Sequence, residues 1–301
     1  MRPTEIDFVE WLRKRASARN RGLVLGIGDD CAIIPAGSTR EDWLFTTDML
    51  IEGVHFERGT HTAADAGRKA LARGLSDIAA MGGTPRFCLV SLALPASADR
   101  RWVTGFYRGL LAHGVTLAGG DLARTDRVMA DIVVAGTVPR GKGLRRDGAR
   151  AGDAIYVSGV LGASALGLAT RRGRAWRIHK RPVARLALGR FLREKLRATA
   201  AMDLSDGLSL DLHRMALASG LQAEIAMPPV FRGATRDQAL HGGEDYELLF
   251  TVGPRVEVPR VAEGVALTRI GTMRHGKAGR VVLNGEELPA LGYDHFARGE
   301  Q

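Results

Sequence analysis

Apolar positions in this chain recur at helical spacing in some stretches and as continuous runs in others, and the two patterns alternate. Ile6, Phe8, Val9 and Leu12 predict an amphipathic helix over residues 4–18. A short strand is expected over 23–27, running into the Gly28-Asp29-Asp30 turn, and another over 43–47, ending at Asp48. Thr62 is suited to cap a long helix that ends at Met81, where Gly82-Gly83 stops it. Within it Leu71, Leu75 and Ile78 recur at i, i+4 and i+7 and mark the buried side, which puts Asp77 at the edge of the core. Next come a strand over 87–94, a helix over 97–112 and a strand over 115–118 that ends in Gly119-Gly120-Asp121. The Val- and Ile-rich run over 128–138 reads as a buried strand.

Pro139-Arg140-Gly141-Lys142-Gly143 punctuates the pattern and sets the expected boundary between domains 1–139 and 140–301. Beyond it a strand is expected over 154–158 and helices around 162–172 and 183–197. A further helix over 206–218 has Leu208, Leu212, Met215 and Ala216 as its apolar face. Strands over 222–226, 247–252, 265–271 and 280–283 complete an α+β reading.

Composition changes this picture little. At 301 residues, 45% hydrophobic and 25% charged, the chain has room for two ordinary globular domains. No apolar run approaches the length of a membrane span, and the acidic N-terminal stretch lacks a signal core. Cys31 and Cys88 stand far apart and outside any CxxC, so a reduced, cytoplasmic protein is expected without a disulfide framework or a thiolate zinc site. The net charge of +10 is concentrated in residues 171–197, where eleven Lys and Arg residues face one acid, Glu194. That stretch lacks the interleaved aromatics that stack on bases, so it reads as a solvated helix face rather than a nucleic-acid site. Its positive field suits polyphosphate substrates.

The candidate chemistry lies in seven aspartates with small, uncharged neighbours: Asp29, Asp30, Asp48, Asp77, Asp121, Asp203 and Asp206. Each follows or interrupts an apolar stretch, where an unpaired carboxylate is costly to bury. Carboxylates gathered from distant segments suit a hard cation such as Mg²⁺, with Thr46, Thr47 and Ser205 adding oxygens. Bare carboxylates would repel a nucleotide triphosphate, so such a site requires metal between the two. A single Asp taken alone is more often a turn residue or a helix cap, but five such phrases make a wholly structural account improbable. The chain has no GxxxxGK[ST], no G-x-S-x-G and no zinc-type Cys/His cluster, and Gly26-Ile27-Gly28 lacks the third glycine of a dinucleotide fingerprint. His241-Gly242-Gly243-Glu244-Asp245-Tyr246-Glu247 is the densest polar phrase and, alone, reads as a charged turn.

Taken together, the phrases resemble the thiamine-monophosphate kinase family of the aminoimidazole-ribonucleotide synthetase-like superfamily. The resemblance runs from Gly26-Ile27-Gly28-Asp29-Asp30 through Thr46-Thr47-Asp48, Leu75-Ser76-Asp77 and Gly119-Gly120-Asp121 to Asp203-Leu204-Ser205-Asp206-Gly207, Gly242-Gly243-Glu244-Asp245-Tyr246 and Tyr293-Asp294-His295-Phe296. It implies a two-domain fold, with an N-terminal mixed α/β domain whose strands pair across a homodimer and a C-terminal α/β domain over the nucleotide. It also implies ATP-dependent conversion of thiamine monophosphate to thiamine diphosphate, the last step of that biosynthesis, with several Mg²⁺ ions.

By motif position the resemblance makes Asp30, Thr46, Thr47, Asp48, Asp77, Asp121, Asp203 and Asp206 metal ligands. Tyr107, Gly120, Asp121, Arg146 and Ser205 become nucleotide contacts, and His55, Glu244 and Tyr293 contacts to thiamine phosphate. Asp29 is expected to shape the turn, and no role is assigned to Arg181 or Arg185. The acceptor phosphate is already largely dianionic at pH 7, so no general base is expected, only direct in-line transfer with charge stabilised by metals and Arg146. The nearest alternative is another ATP-using member of the superfamily, of the hydrogenase-maturation or selenophosphate-forming type. Cys31, however, follows the Asp pair outside a glycine-rich phrase, and no cysteine stands in the last residues, Ala297 to Gln301. A basic nucleic-acid-binding protein is the alternative from another class; no nucleic-acid or membrane partner is expected.

Overall fold

The computed structural model describes residues 23–37 and 40–293. The helix expected over 4–18 and the Asp294-His295-Phe296 phrase lie outside them.

The first half forms a five-stranded sheet of β1 (Ala32–Pro35), β2 (Glu41–Ile51), β3 (Thr84–Leu94), β4 (Thr116–Arg124) and β5 (Met129–Pro139) in the order β1-β2-β5-β3-β4. All neighbours are antiparallel except β3 and β4, and β4 is an exposed edge. Strand alternation sends Leu44, Leu50, Val90, Leu92, Ile132 and Val134 to one face. There they meet Leu71, Leu75 and Ile78 of α1 (Ala63–Ala80) and Phe106 and Leu110 of α2 (Arg100–Leu111). Each such side chain contributes about 1.5–3 kcal/mol when fully buried. Thr62 caps α1 as expected: its hydroxyl accepts from the Asp65 amide at 3.1 Å, and the Asp65 carboxylate accepts from the Thr62 amide at 3.1 Å.

The second half builds an eight-stranded sheet from β6 (Ala154–Ser158), β7 (Ala200–Asp203), β8 (Gln222–Ile225), β9 (Leu248–Val252), β10 (Val261–Ala262), β11 (Val265–Arg274), β12 (Val281–Leu283) and β13 (Glu286–Glu287). Its main path runs β13-β12-β8-β11-β6-β9-β7, and β10 pairs with β11. Its helices are α3 (Ala163–Thr170), α4 (Gly173–Lys180), α5 (Leu186–Phe191), α6 (Leu208–Ala218) and α7 (Arg236–His241), with a π-helical turn over Leu192–Leu196. Leu208, Leu212, Met215 and Ala216 of α6 pack into its core. A third apolar cluster joins the halves, bringing Ala79 and Ala80 of α1 against Leu188, Leu192, Leu248 and Phe250.

Several sequence expectations need correction. Residues 23–27 make only isolated bridges, Leu25 to Ile33 and Ile27 to Asp29, and the strand falls instead on Ala32–Pro35. β2 and β4 run further than expected because cross-strand pairing extends them, so Asp48 and Asp121 lie inside strands rather than at their ends. The helix expected over 183–197 is two shorter pieces, α5 and the π-helical turn, and α4 precedes them unannounced. β7 and α7 were also not foreseen.

The arginine-rich stretch is not simply a solvated face. Arg181 and Lys180 pair with Asp65, Arg185 pairs with Glu247, and Arg193 Nε donates to the Gly82 carbonyl at 2.8 Å. Its charge therefore ties the second half to both ends of α1.

α1 and α2 approach closely through glycines. A Cβ on Gly109 would stand 2.0 Å from the Ala64 carbonyl oxygen, and one on Gly67 would stand 1.9 Å from that of Phe106. Backbone atoms cannot yield as side chains do, so Gly109→Ala is expected to lower the unfolding free energy by roughly 1–3 kcal/mol or more. Urea unfolding checks this, and an unchanged midpoint would show that the helices can separate without loss.

Candidate active site

One face of α1 carries Lys69, Arg73 and Asp77 at i, i+4 and i+8, so a single helix presents two cations and an anion in a row. β2 lays Thr46 and Asp48 over that row, on the same strand face as Leu44 and Leu50. The Thr46 hydroxyl donates to Asp77, and Arg73 Nη2 donates to Asp48 Oδ1 at 3.0 Å. Lys69 has no exposed side-chain surface; its ammonium donates to the His55 carbonyl and to Glu244 Oε2, each at 2.8 Å.

Two further segments bring carboxylates to Asp77. The turn before β1 supplies Asp30, and the end of β7 supplies Asp203. One oxygen from each of Asp30, Asp77 and Asp203 lies within 4.8 Å of the others. Asp30 Oδ2 and Asp203 Oδ2 are buried with no hydrogen-bond partner. Burial pushes Asp77 and Asp203 well above the ordinary carboxylate range, and neighbouring carboxylates push them the same way. Asp30 is also raised by burial, against the lowering influence of Arg146. Three converging carboxylates, two of them with an orphaned oxygen, suit a hard divalent cation, since all the donors are oxygen and the cation would reverse the repulsion.

Arg146 closes this group from behind. Its Nη2 donates to Asp30 Oδ1 at 2.8 Å and its backbone amide to Asp29 Oδ2 at 3.1 Å, while Asp29 Oδ1 accepts from the Asp30 amide at 2.9 Å. Asp29 thus braces the turn and the Arg146 loop together. Asp206 pairs with Arg214, and Asp211 accepts from the amides of Asp206 and Gly207 at 3.1 Å each.

A cleft of about 510 Å³ opens beside the trio. Of the residues singled out in the sequence, Asp48, His55, Asp77, Asp203, Ser205, Asp206, Glu244 and Tyr293 line it. Asp30, Thr46 and Arg146 stand behind that lining, joined to it through the trio and the hydrogen bonds above. Four others do not line it. Thr47 faces the opposite side of the sheet, where its hydroxyl donates to Asp131 Oδ1 at 2.6 Å. Asp121 shares that outer face, because it stands in register with Ser91 and Ser91 with Asp131. Gly120 lies in the exposed edge strand, where a Cβ would meet the Val90 carbonyl oxygen at 1.9 Å. Tyr107 is half-buried on α2, against Phe106.

The structure adds residues to the cleft that the sequence reading missed. Arg73 lines it, as does His179, whose Nδ1 lies 2.9 Å from the Ser164 hydroxyl. Burial and the nearby Lys69 charge lower His179 to about 4, so its ring is neutral. Burial acts to raise Glu244, but the charges of Lys69 and Arg73 outweigh it and hold that carboxyl below its ordinary range. Helical spacing back from Asp77 was the available signal for Lys69 and Arg73. No comparable signal pointed to His179, which reaches the cleft only through tertiary packing.

Residues 28–138 match the N-terminal domain of the AIR synthase related protein family, and residues 150–284 match its C-terminal domain. The chain is 38% identical to the thiamine-monophosphate kinase of Salmonella typhimurium, over 97% of this chain and 98% of that one. It is 36% identical to the thiamine-monophosphate kinase of Rhodopirellula baltica, over 89% and 88% of the two chains. The solved structure of AaThiL complexed with AMPPCP and TMP superposes with a TM-score of 0.84 at 30% identity, covering 98% of this chain and 99% of that one. With both domains matched and identity sustained along nearly the whole chain, this protein belongs to the thiamine-monophosphate kinase family of AIR synthase related proteins.

Proposed function

We propose that this chain transfers the γ-phosphoryl group of ATP to thiamine monophosphate, giving thiamine diphosphate and ADP. The observation that carries the reading is the carboxylate trio of Asp30, Asp77 and Asp203, of which Asp77 and Asp203 line a cleft that also holds Glu244. A carboxylate group of this kind repels phosphate unless cations stand between them. The kinship to thiamine-monophosphate kinases, and to a structure complexed with a nucleotide analogue and TMP, supports both substrates.

Asp30, Asp77 and Asp203 would hold Mg²⁺, with Asp48, Asp206 and Thr46 close by; Thr47 and Asp121 face the other side of the first sheet and would not share that ion. When bound there, Mg²⁺ would supply positive charge that offsets the phosphate oxygens against these carboxylates. Ser205, Arg146, Tyr107 and Gly120 would contact the nucleotide, and His55, Glu244 and Tyr293 the thiamine moiety. An oxygen of the acceptor phosphate attacks the γ-phosphorus, the bond from that phosphorus to the bridging oxygen breaks, and ADP departs with the electron pair. The attacking oxygen carries no proton to remove at neutral pH, so no side chain acts as a base. The protein's part is to align two anions and to stabilise charge at the transferring group.

In this reading residues 1–139 carry the metal and phosphate end, to which Asp203 and Asp206 also contribute, and residues 140–301 cover the nucleotide. The exposed edge of β4 offers unpaired backbone groups for a second copy, which supports a homodimer. No helix among the described residues is long and apolar enough to cross a membrane, and we assign the protein to the cytoplasm.

ADP and thiamine diphosphate are expected to form only with Mg²⁺, and Asp48→Ala is expected to abolish turnover. Folded protein that leaves thiamine monophosphate unchanged with ATP and Mg²⁺ would overturn the proposal, and a phosphorylated side chain during turnover would overturn direct transfer.

Removing one member of the trio should separate metal binding from folding. Asp203→Asn relieves repulsion, so in EDTA it is expected to gain on the order of 1 kcal/mol, a rise of about 2–4 °C in melting temperature. The same variant should lose the stabilisation that Mg²⁺ gives the unaltered protein. A variant that melts lower in EDTA yet still responds to Mg²⁺ would show that the cation binds elsewhere.

A further inference from the structure

The cleft wall is strongly anionic. Among the described residues it is lined by Asp48, Asp77, Asp203, Asp206 and Glu244, and Arg73 is its one Arg or Lys. Arg73 is a buried guanidinium, its side chain 12% exposed. Only Nη2 has a partner, Asp48 Oδ1; Nε and Nη1 are buried without an acceptor. Unsatisfied donors on a buried charge are costly, and a side chain kept so in the wall of a cleft is poised for an anionic ligand.

Its place on α1 says which anion. One turn toward the C-terminus, Asp77 belongs to the carboxylate trio. One turn toward the N-terminus, Lys69 holds Glu244 and the His55 carbonyl. Near Glu244 the lining includes Val54, next to His55, and Ala165, next to the Ser164 that contacts His179. Arg73 therefore stands between a carboxylate end suited to metal and polyphosphate and an end with apolar surface suited to an organic moiety. A monophosphate that joins the organic moiety to its phosphoryl donor must lie between these ends.

We infer that Arg73 is a phosphate-binding residue for the acceptor substrate, contacting the phosphate that receives the phosphoryl group. This rests on the acceptor being a phosphate monoester, as proposed above. The fixed charge offsets repulsion between that phosphate and the surrounding carboxylates on the side of the cleft toward Glu244.

Steady-state kinetics of Arg73→Gln and Arg73→Lys test the inference. With Arg73→Gln the KM for thiamine monophosphate is expected to rise about 10- to 100-fold, as loss of a charged hydrogen bond implies, with the KM for ATP and half-saturating Mg²⁺ within about twofold. Arg73→Lys keeps the charge without the fork and should recover part of the loss. If Arg73 only positioned Asp48, the Mg²⁺ requirement and the KM for ATP would move together with the acceptor KM, and the inference would fail. An unchanged acceptor KM would also overturn it. Should Arg73→Gln not fold, as read by its melting curve, Arg73→Lys decides: a several-fold higher acceptor KM supports phosphate binding, and none refutes it. Unaltered protein that does not act on thiamine monophosphate would instead sink the functional reading itself.

Discussion

Repulsion between buried carboxylates is the constraint on which this structure turns. Asp30, Asp77 and Asp203 come from three separate segments and converge without enough hydrogen-bond donors to satisfy them. Like charges held in a low-dielectric site disfavour ionisation and oppose folding. The molecule offsets part of this with arginines: Arg146 on Asp30, Arg73 on Asp48 and Arg214 on Asp206. The residual charge is what makes the site receptive to a hard cation, and so to anions that bind through one.

α1 organises the rest. Its apolar side fills the core of the first half, its last turn joins the cluster between the halves, and its polar row supplies Lys69, Arg73 and Asp77 to the site. Close packing against α2 through glycines removes freedom from that row, and so from the groups it presents. The arginine-rich segment then fastens the second half to both ends of the helix, at Asp65 and at the Gly82 carbonyl. A helix anchored in this way can hold charged side chains against one another without relaxing. Pre-organisation of that sort is what phosphoryl transfer between two anions requires.

Legibility in the sequence followed the length and cleanness of the apolar period. α1 could be read with its cap because eighteen residues repeat one pattern between Thr62 and Gly82. The long β5 stood out as a Val- and Ile-rich run. β1 and β7 are four residues each, too short for a period, and exist because neighbouring strands supply their hydrogen bonds. The three pieces between 173 and 197 read as a single helix because basic residues mask their short apolar faces. Those basic residues looked solvated because their acidic partners, Asp65 and Glu247, are distant in sequence.

Sequence alone determined the family and the character of the candidate donors: aspartates in small, uncharged phrases, repeated too often to be turns, in a chain related to thiamine-monophosphate kinases over nearly its full length. Local spacing carries that kind of information, since a phrase such as Gly-Asp-Asp or Leu-Ser-Asp keeps its character wherever it folds. Which carboxylates meet was decided only in three dimensions. Asp30, Asp77 and Asp203 share one group while Asp121 stands on the outer face of the first sheet, because strand register and helix phase set side-chain direction. The same applies to charge. Arg73 and Lys69 are ordinary helix residues in the sequence, and only packing against β2 and the Glu244 turn makes them part of the cleft and its wall.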